Sequence, residues 1–253
     1  MTMRRVLLVG QDKGGSGKSL VVRALAESVV AARIIELEDE ARLVELDDRV
    51  DFFPVRADRG EIDRTSGAAA RSEYDAVLDL IARKVAPDAQ GPEPLIVDIG
   101  ANASRSFLPE IASRAARYGR IGVEFAMLTV ITAEPGAAAS APVVLDLARP
   151  FAKPLFAVEN QVEGAVDAKI LKALGKDVVL SRLPRLTLDP QANGLLQTGG
   201  LRFIAERLGA AEDNLSEKFG FAAAGRMIQD LTAFRAQAMQ AVAPMAEWLE
   251  RGA

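Results

Sequence analysis

The chain of 253 residues contains neither cysteine nor histidine. The first absence rules out disulfides and thiolate nucleophiles, the second removes the imidazole general base, and together they remove the usual zinc sites. Any chemistry must then use carboxylates, lysine or arginine, hydroxyls, backbone N–H groups and a bound metal. Phosphoryl transfer on Mg2+ fits that restriction, because it rests on positioning and electrostatics more than on covalent chemistry. Aromatic residues make up only 5% of the chain, and they do not interleave with the basic residues as a base-stacking surface would require. No apolar run reaches the length of a membrane span. Met1-Thr2-Met3-Arg4-Arg5 leads straight into a strand-like run, without the apolar stretch and small-residue cleavage site of a signal peptide. A cytoplasmic protein is expected. A net charge of −4 leaves room for a local basic patch but not for non-specific DNA affinity over the whole surface.

What the chain does have is apolar content, 49% of its residues, enough for a core in one α/β domain over residues 1–253. Strand-like runs fall at Arg5–Val9, Arg33–Leu37, Asp51–Val55, Pro94–Asp98, Gly122–Thr132, Pro154–Glu159 and Asp177–Leu183. Helix-like segments between them cover Ser19–Ala31, Tyr74–Val85, Phe107–Tyr118, Gly136–Ala148 and Val166–Ala173. This alternation predicts a mostly parallel, doubly wound sheet of about seven strands with helices on both faces. Residues 56–72 read as a poorly packed connection and Pro87–Pro92 as an exposed loop. From Ala222 to Leu249 apolar residues recur at helical spacing, which predicts a long terminal helix over about residues 222–250, packed on the sheet or on a partner. Its polar face mixes charges of both signs, unlike a membrane-surface helix, so no membrane association is expected.

The most specific motif follows the first strand. Gln11-Asp12-Lys13-Gly14-Gly15-Ser16-Gly17-Lys18-Ser19-Leu20 lies between Val6–Gly10 and a helical stretch, the order of a phosphate-binding P-loop. Glycines let successive backbone N–H groups turn toward phosphate oxygens, and the following helix adds its N-terminal N–H groups and dipole. Lys18 would reach the β- and γ-phosphates, and the Ser19 hydroxyl would ligate Mg2+. The cradle runs through Gly14, Gly15, Ser16, Gly17, Lys18, Ser19 and Leu20. Two features depart from the common pattern. Asp12 stands where a glycine is usual, and a second lysine, Lys13, precedes the glycine pair.

The string Lys-Gly-Gly-Ser-Gly-Lys-Ser resembles the deviant Walker A loop of the ParA/MinD/nitrogenase-iron-protein ATPases. The resemblance implies ATP and Mg2+ as ligands and a homodimer formed on ATP binding, with Lys13 crossing the interface to the partner's nucleotide. Leu95-Ile96-Val97-Asp98 is an apolar strand ending in a carboxylate, which either holds a Mg2+-bound water or simply caps the strand. The Asp98–Ser104 loop would then be a switch segment that reports on the γ-phosphate.

Ile34-Ile35-Glu36-Leu37-Glu38-Asp39 resembles the family's Asp-x-Asp, whose second acid orients the attacking water. That acid is Glu38 here, or Asp39 if the strand register shifts by one. A glutamate adds a methylene where catalytic geometry is sensitive to about 1 Å, so slow hydrolysis is expected. Asn160 follows a strand where the family reads adenine through an amide, and it is equally an ordinary turn residue. Pro184 and Arg185 fall where family members wrap the base. Lys169, Lys172, Lys176, Arg182, Arg185, Arg202, Arg207, Lys218 and Arg226 read either as a solvated face or as a DNA-backbone patch. The sequence Asp98-Ile99-Gly100-Ala101-Asn102-Ala103-Ser104 is more similar to the TraL/StbB-type ATPases than to chromosome-partition ParA proteins. That likeness implies plasmid partition or conjugative transfer, with DNA or a small DNA-binding accessory protein as partner. The alternatives are a nucleotide-binding scaffold with little hydrolysis and, on fold analogy, an ATP-dependent small-molecule ligase resembling dethiobiotin synthetase.

Overall fold

The computed structural model describes residues 3–55, 68–84, 93–101 and 103–251. Its seven strands are the seven anticipated: β1 Arg4–Gly10, β2 Arg33–Glu38, β3 Val50–Pro54, β4 Leu95–Ile99, β5 Val123–Ile131, β6 Ala152–Asn160 and β7 Val178–Leu183. They form one sheet in the order β3-β2-β4-β1-β5-β6-β7, and every pairing is parallel. The helices are α1 Lys18–Ser28, α2 Ala68–Lys84, α3 Ser104–Arg120, α4 Pro135–Ala148, α5 Ala168–Ala173, α6 Pro190–Glu206, α7 Glu212–Phe219 and α8 Phe221–Glu250. This is a doubly wound α/β architecture, an all-parallel sheet with helices packed on both faces.

Alternation along the strands divides the core in two. Leu7 and Val9 of β1 and Ile34 of β2 join α1, α6, α7 and α8 on one face. Val6 and Leu8, with Ile35 and Leu37, face α2, α3 and α4 on the other. The long terminal helix therefore packs on the sheet: Met227, Leu231, Ala241, Val242, Met245 and Leu249 are buried there with β-strand residues such as Leu128 and Val158. Each fully buried large side chain contributes about 1.5–3 kcal/mol. No helix among the described residues is long and apolar enough to cross a membrane.

Some boundaries differ from expectation for physical reasons. Helix α1 stops at Ser28 rather than Ala31, where the Arg49 guanidinium bonds Ala26 O of its last turn at 2.8 Å, Val29 O at its cap at 2.9 Å and Ala32 O, just before β2, at 2.8 Å. Residues 68–72 belong to α2 rather than to a loose connection. Helix α3 starts at Ser104, three residues before the expected Phe107. Helices α6 and α7 had no expected counterpart, and α6 is broken at Gly200, where φ is +63°. Residues 56–67, the Pro87–Pro92 loop and Asn102 lie outside the described residues.

Candidate functional site

In a parallel sheet all strand C-termini share one edge, and here the chain leaves β1 toward β2 on one side while β5 lies on the other. That switch point opens a crevice at the carboxyl edge. Residues 11–17 cross it from β1 to α1. Gly15 has φ +81° and Gly17 φ +90°, conformations that glycine adopts freely and other residues rarely do. A Cβ at Gly17 would also lie 2.4 Å from the Asn160 side-chain nitrogen. Helix α1 begins at Lys18 with no side-chain cap, whereas Glu134, Asp167 and Asp189 cap α4, α5 and α6. Like those of α3, α7 and α8, which also lack a side-chain cap, its first N–H groups are open to water or to an outside anion.

The Lys18 ammonium is buried and donates to Glu38 Oε1 at 2.9 Å and to Asp98 Oδ1. Burial works against the charged ammonium, but the charges of Asp98 and Glu38 outweigh it and hold Lys18 above the ordinary lysine value. Burial raises the Asp98 carboxyl, with Lys18 pulling it back. Glu36 lies beside Asp98 in the β2–β4 register and is raised mainly by burial, although one oxygen accepts from Arg42 N at 2.8 Å. Two buried carboxylates thus converge on Lys18, a third, Glu36, lies beside Asp98, and the half-exposed Arg42 is 3.9 Å from Glu38. Asp98 Oδ2 and Glu36 Oε2 are buried and accept no hydrogen bond. An orphaned acceptor at Asp98 suits a water or a hard cation. Asp39, the alternative to Glu38, is 72% exposed and turns to Arg42. Gly100 brings the loop after Asp98 tight against β2: its N–H donates to Leu37 O at 2.6 Å, and a Cβ would sit 2.5 Å from that oxygen.

The remaining expected residues are placed as follows. Ser19 is half-buried in the first turn of α1, and Gly14 and Gly15 are exposed. Lys13 is 51% exposed, with its ammonium 3.9 Å from Glu134. Asn160 donates from Nδ2 to Ser16 O at 2.9 Å, so it holds the loop as well as standing beside it. Asn160, Leu20, Pro184 and Arg185 line a cleft of about 370 Å³ together with Asn193 and Leu196 of α6 and Phe234 of α8. The late basic residues are all exposed and lie on α5, β7, α6, α7 and α8 or in the segments between them; Arg182 and Arg202 pair with Glu159 and Glu206.

Two residues, Gln11 and Asp12, make contacts that no local sequence pattern records. Gln11 is fully buried; its amide donates to Val130 O and Ala137 O and accepts from Lys13 N–H at 3.2 Å and from the Ser140 hydroxyl. The start of the loop is thereby tied to β5 and α4. Asp12 Oδ2 accepts from Arg105 Nε at 3.0 Å, across 93 residues of sequence. Only the position of Asp12, in place of the usual glycine, hinted that it had a special role.

No protein-family model matches the chain, and no curated protein matches its sequence. Solved structures resemble it at low identity. Apo McdA of Cyanothece is 11% identical, with 91% of this chain and 98% of that one covered and a TM-score of 0.43. An Asp-to-Ala variant of Cyanothece McdA in complex with ATP is 11% identical, covering 93% and 98%, with a TM-score of 0.45. The 54 kDa signal recognition particle protein of Aeropyrum pernix K1 in complex with GDP is 15% identical, covering 98% of this chain and 62% of that one, with a TM-score of 0.37.

Proposed function

We propose that this protein is a Mg·ATP-binding, slowly hydrolysing dimerisation switch of the ParA/MinD type. One observation carries the reading: a P-loop lysine, Lys18, is held at the carboxyl edge of a parallel sheet by Glu38 and Asp98, next to a helix N-terminus with no side-chain cap. In the nucleotide-free chain the carboxylates are the counter-ions of Lys18. A triphosphate is the stronger anion, and it draws the ammonium toward the loop, which frees Glu38 Oε1 to accept a hydrogen bond from water.

Ser19 and the orphaned Asp98 Oδ2 are the groups that would hold Mg2+, the latter directly or through water; when bound, the ion supplies charge neutralisation on the phosphates. Asn160, Pro184 and Arg185 line the cleft in which the adenine would lie. Lys13, exposed at the mouth of the loop, is the residue that would reach the partner subunit's nucleotide. Dimer closure would create the surface for DNA or a small DNA-binding accessory protein, in plasmid partition or conjugative transfer of the TraL/StbB kind. The direct Lys18–Glu38 contact also supports the alternative of a nucleotide-binding scaffold with little turnover.

Solution mass measured with ATP, ADP and no nucleotide tests the switch. The expected result is a dimer with ATP alone, lost in Lys13→Ala. A monomer in all three states would end the dimer reading. Turnover measured with DNA present separates switch from scaffold, because hydrolysis abolished by Glu38→Ala excludes the scaffold.

A further inference from the structure

The carboxylate of Asp12 is out of place in a loop built to receive anions. Its side chain is only 9% exposed, and one oxygen, Oδ1, is buried with no partner. The other accepts from Arg105 Nε, 3.0 Å away. Arg105 is the second residue of α3, directly after the loop that follows Asp98. Its neighbour Ser104 is fully buried against the end of β1, where a Cβ at Gly10 would lie 3.0 Å from the Ser104 hydroxyl. The first turn of α3 therefore meets the base of the phosphate loop at two adjacent points, one by packing and one by charge. Lys13, the nearest other cation in the loop, leans toward Glu134 instead.

We propose that Arg105 is a positioning residue for the nucleotide: by neutralising the Asp12 carboxylate it sets the affinity of the loop for polyphosphate and couples the loop to the first turn of α3. The proposal rests on the reading of residues 11–20 as the nucleotide site. An ion pair with one partner 62% exposed contributes little by itself. Losing the cation is a different matter, because it leaves a nearly buried negative charge beside the seat of a more negative ligand. Glycine at position 12 needs no such cation, so the contribution of Arg105 depends on Asp12 being present. The same pair offers a route by which the Asp98–Ser104 segment and the phosphate loop respond together to the charge on the ligand.

The test is a double-mutant cycle read as binding of Mg·ATP and Mg·ADP by titration calorimetry, with thermal unfolding confirming that each variant is folded. Arg105→Ala and the length-preserving Arg105→Gln should weaken Mg·ATP binding about tenfold and Mg·ADP binding less, while Arg105→Lys retains most of the affinity. Asp12→Gly should bind at least as tightly as the wild type, and in its background Arg105→Gln should change affinity less than about twofold. Equal losses in both backgrounds, or no loss from Arg105→Gln in the wild type, would overturn the proposal and leave the nucleotide reading intact. A wild-type chain that binds neither nucleotide removes both.

Discussion

The Lys18 ammonium lies 2.9 Å from Glu38 Oε1 and also contacts Asp98, and all three side chains are buried. The three residues come from the start of α1 and the ends of β2 and β4, so the ion cluster pins together the elements that meet at the carboxyl edge. It also means that the Lys18 charge is already paired, so an anionic ligand would compete with Glu38 and Asp98 for it.

Removing Lys18 should therefore harm folding as well as binding. Lys18→Met leaves two buried carboxylates without their cation, at a cost of about 3–5 kcal/mol. Denaturant unfolding of the nucleotide-free chain measures it, and a loss below about 1 kcal/mol would show that the cluster is not formed in solution.

Asn160 and Gly17 make a pair of substitutions with different signatures. Asn160→Ala removes the bond to Ser16 O and should cost about 1 kcal/mol of stability. If the amide also reads the base, the ratio of ATP to GTP affinity falls in the same variant. Gly17→Ala meets both the +90° φ and the Asn160 nitrogen, with strain of order 1–3 kcal/mol. Nucleotide titration should show binding abolished, and intact binding would mean that the loop is built otherwise.

Glu36 predicts a pH effect on the nucleotide-free chain. Burial raises its carboxyl above the ordinary 4.5, so the folded state holds the proton more tightly than the unfolded one. Its stabilising contribution is complete below 4.5 and is lost as pH rises through the folded value. Glu36→Gln keeps an acceptor for Arg42 N–H and never ionises. It should unfold a few degrees higher than the wild type at pH 7, with the gain vanishing toward pH 4. Parallel melting-temperature curves for the two proteins would refute this origin of the shift.

Gln11→Ala strips four polar contacts from beneath the loop. The buried carbonyls of Val130 and Ala137 lose a donor, and the expected cost is about 1–3 kcal/mol, together with weaker nucleotide binding. Guanidinium unfolding and the same titration check both. A variant equal to the wild type in each would show that the loop is anchored by its glycines alone.

Strand identity was legible because each buried strand is a short apolar run set off by polar or glycine residues, and α8 because its apolar positions repeat at helical spacing over thirty residues. Helices α6 and α7 were not. Gly194, Gly199 and Gly200 interrupt the first, and Glu212–Phe219 buries a single residue, Leu215, so neither has a sustained apolar face. The early end of α1 was equally hidden, since its cap comes from Arg49, a residue beyond β2.

At the site, the reading of residues 11–20 as a phosphate loop needed no structure, because glycine spacing, lysine and the strand–helix context are local properties. The chemistry open to the chain was likewise settled by composition: with no histidine or cysteine, only carboxylates, amines and hydroxyls remain. Which carboxylate stands beside Lys18 was decided only by the tertiary structure. Glu38 closes β2 with its side chain inward, while Asp39 lies one residue past the strand and points to solvent, because side chains alternate along a strand. The partners of Gln11 and Asp12 belong to the same class. They lie some 90 to 130 residues away, and no sequence pattern records them, because strand order rather than chain order brings those segments to one edge of the sheet.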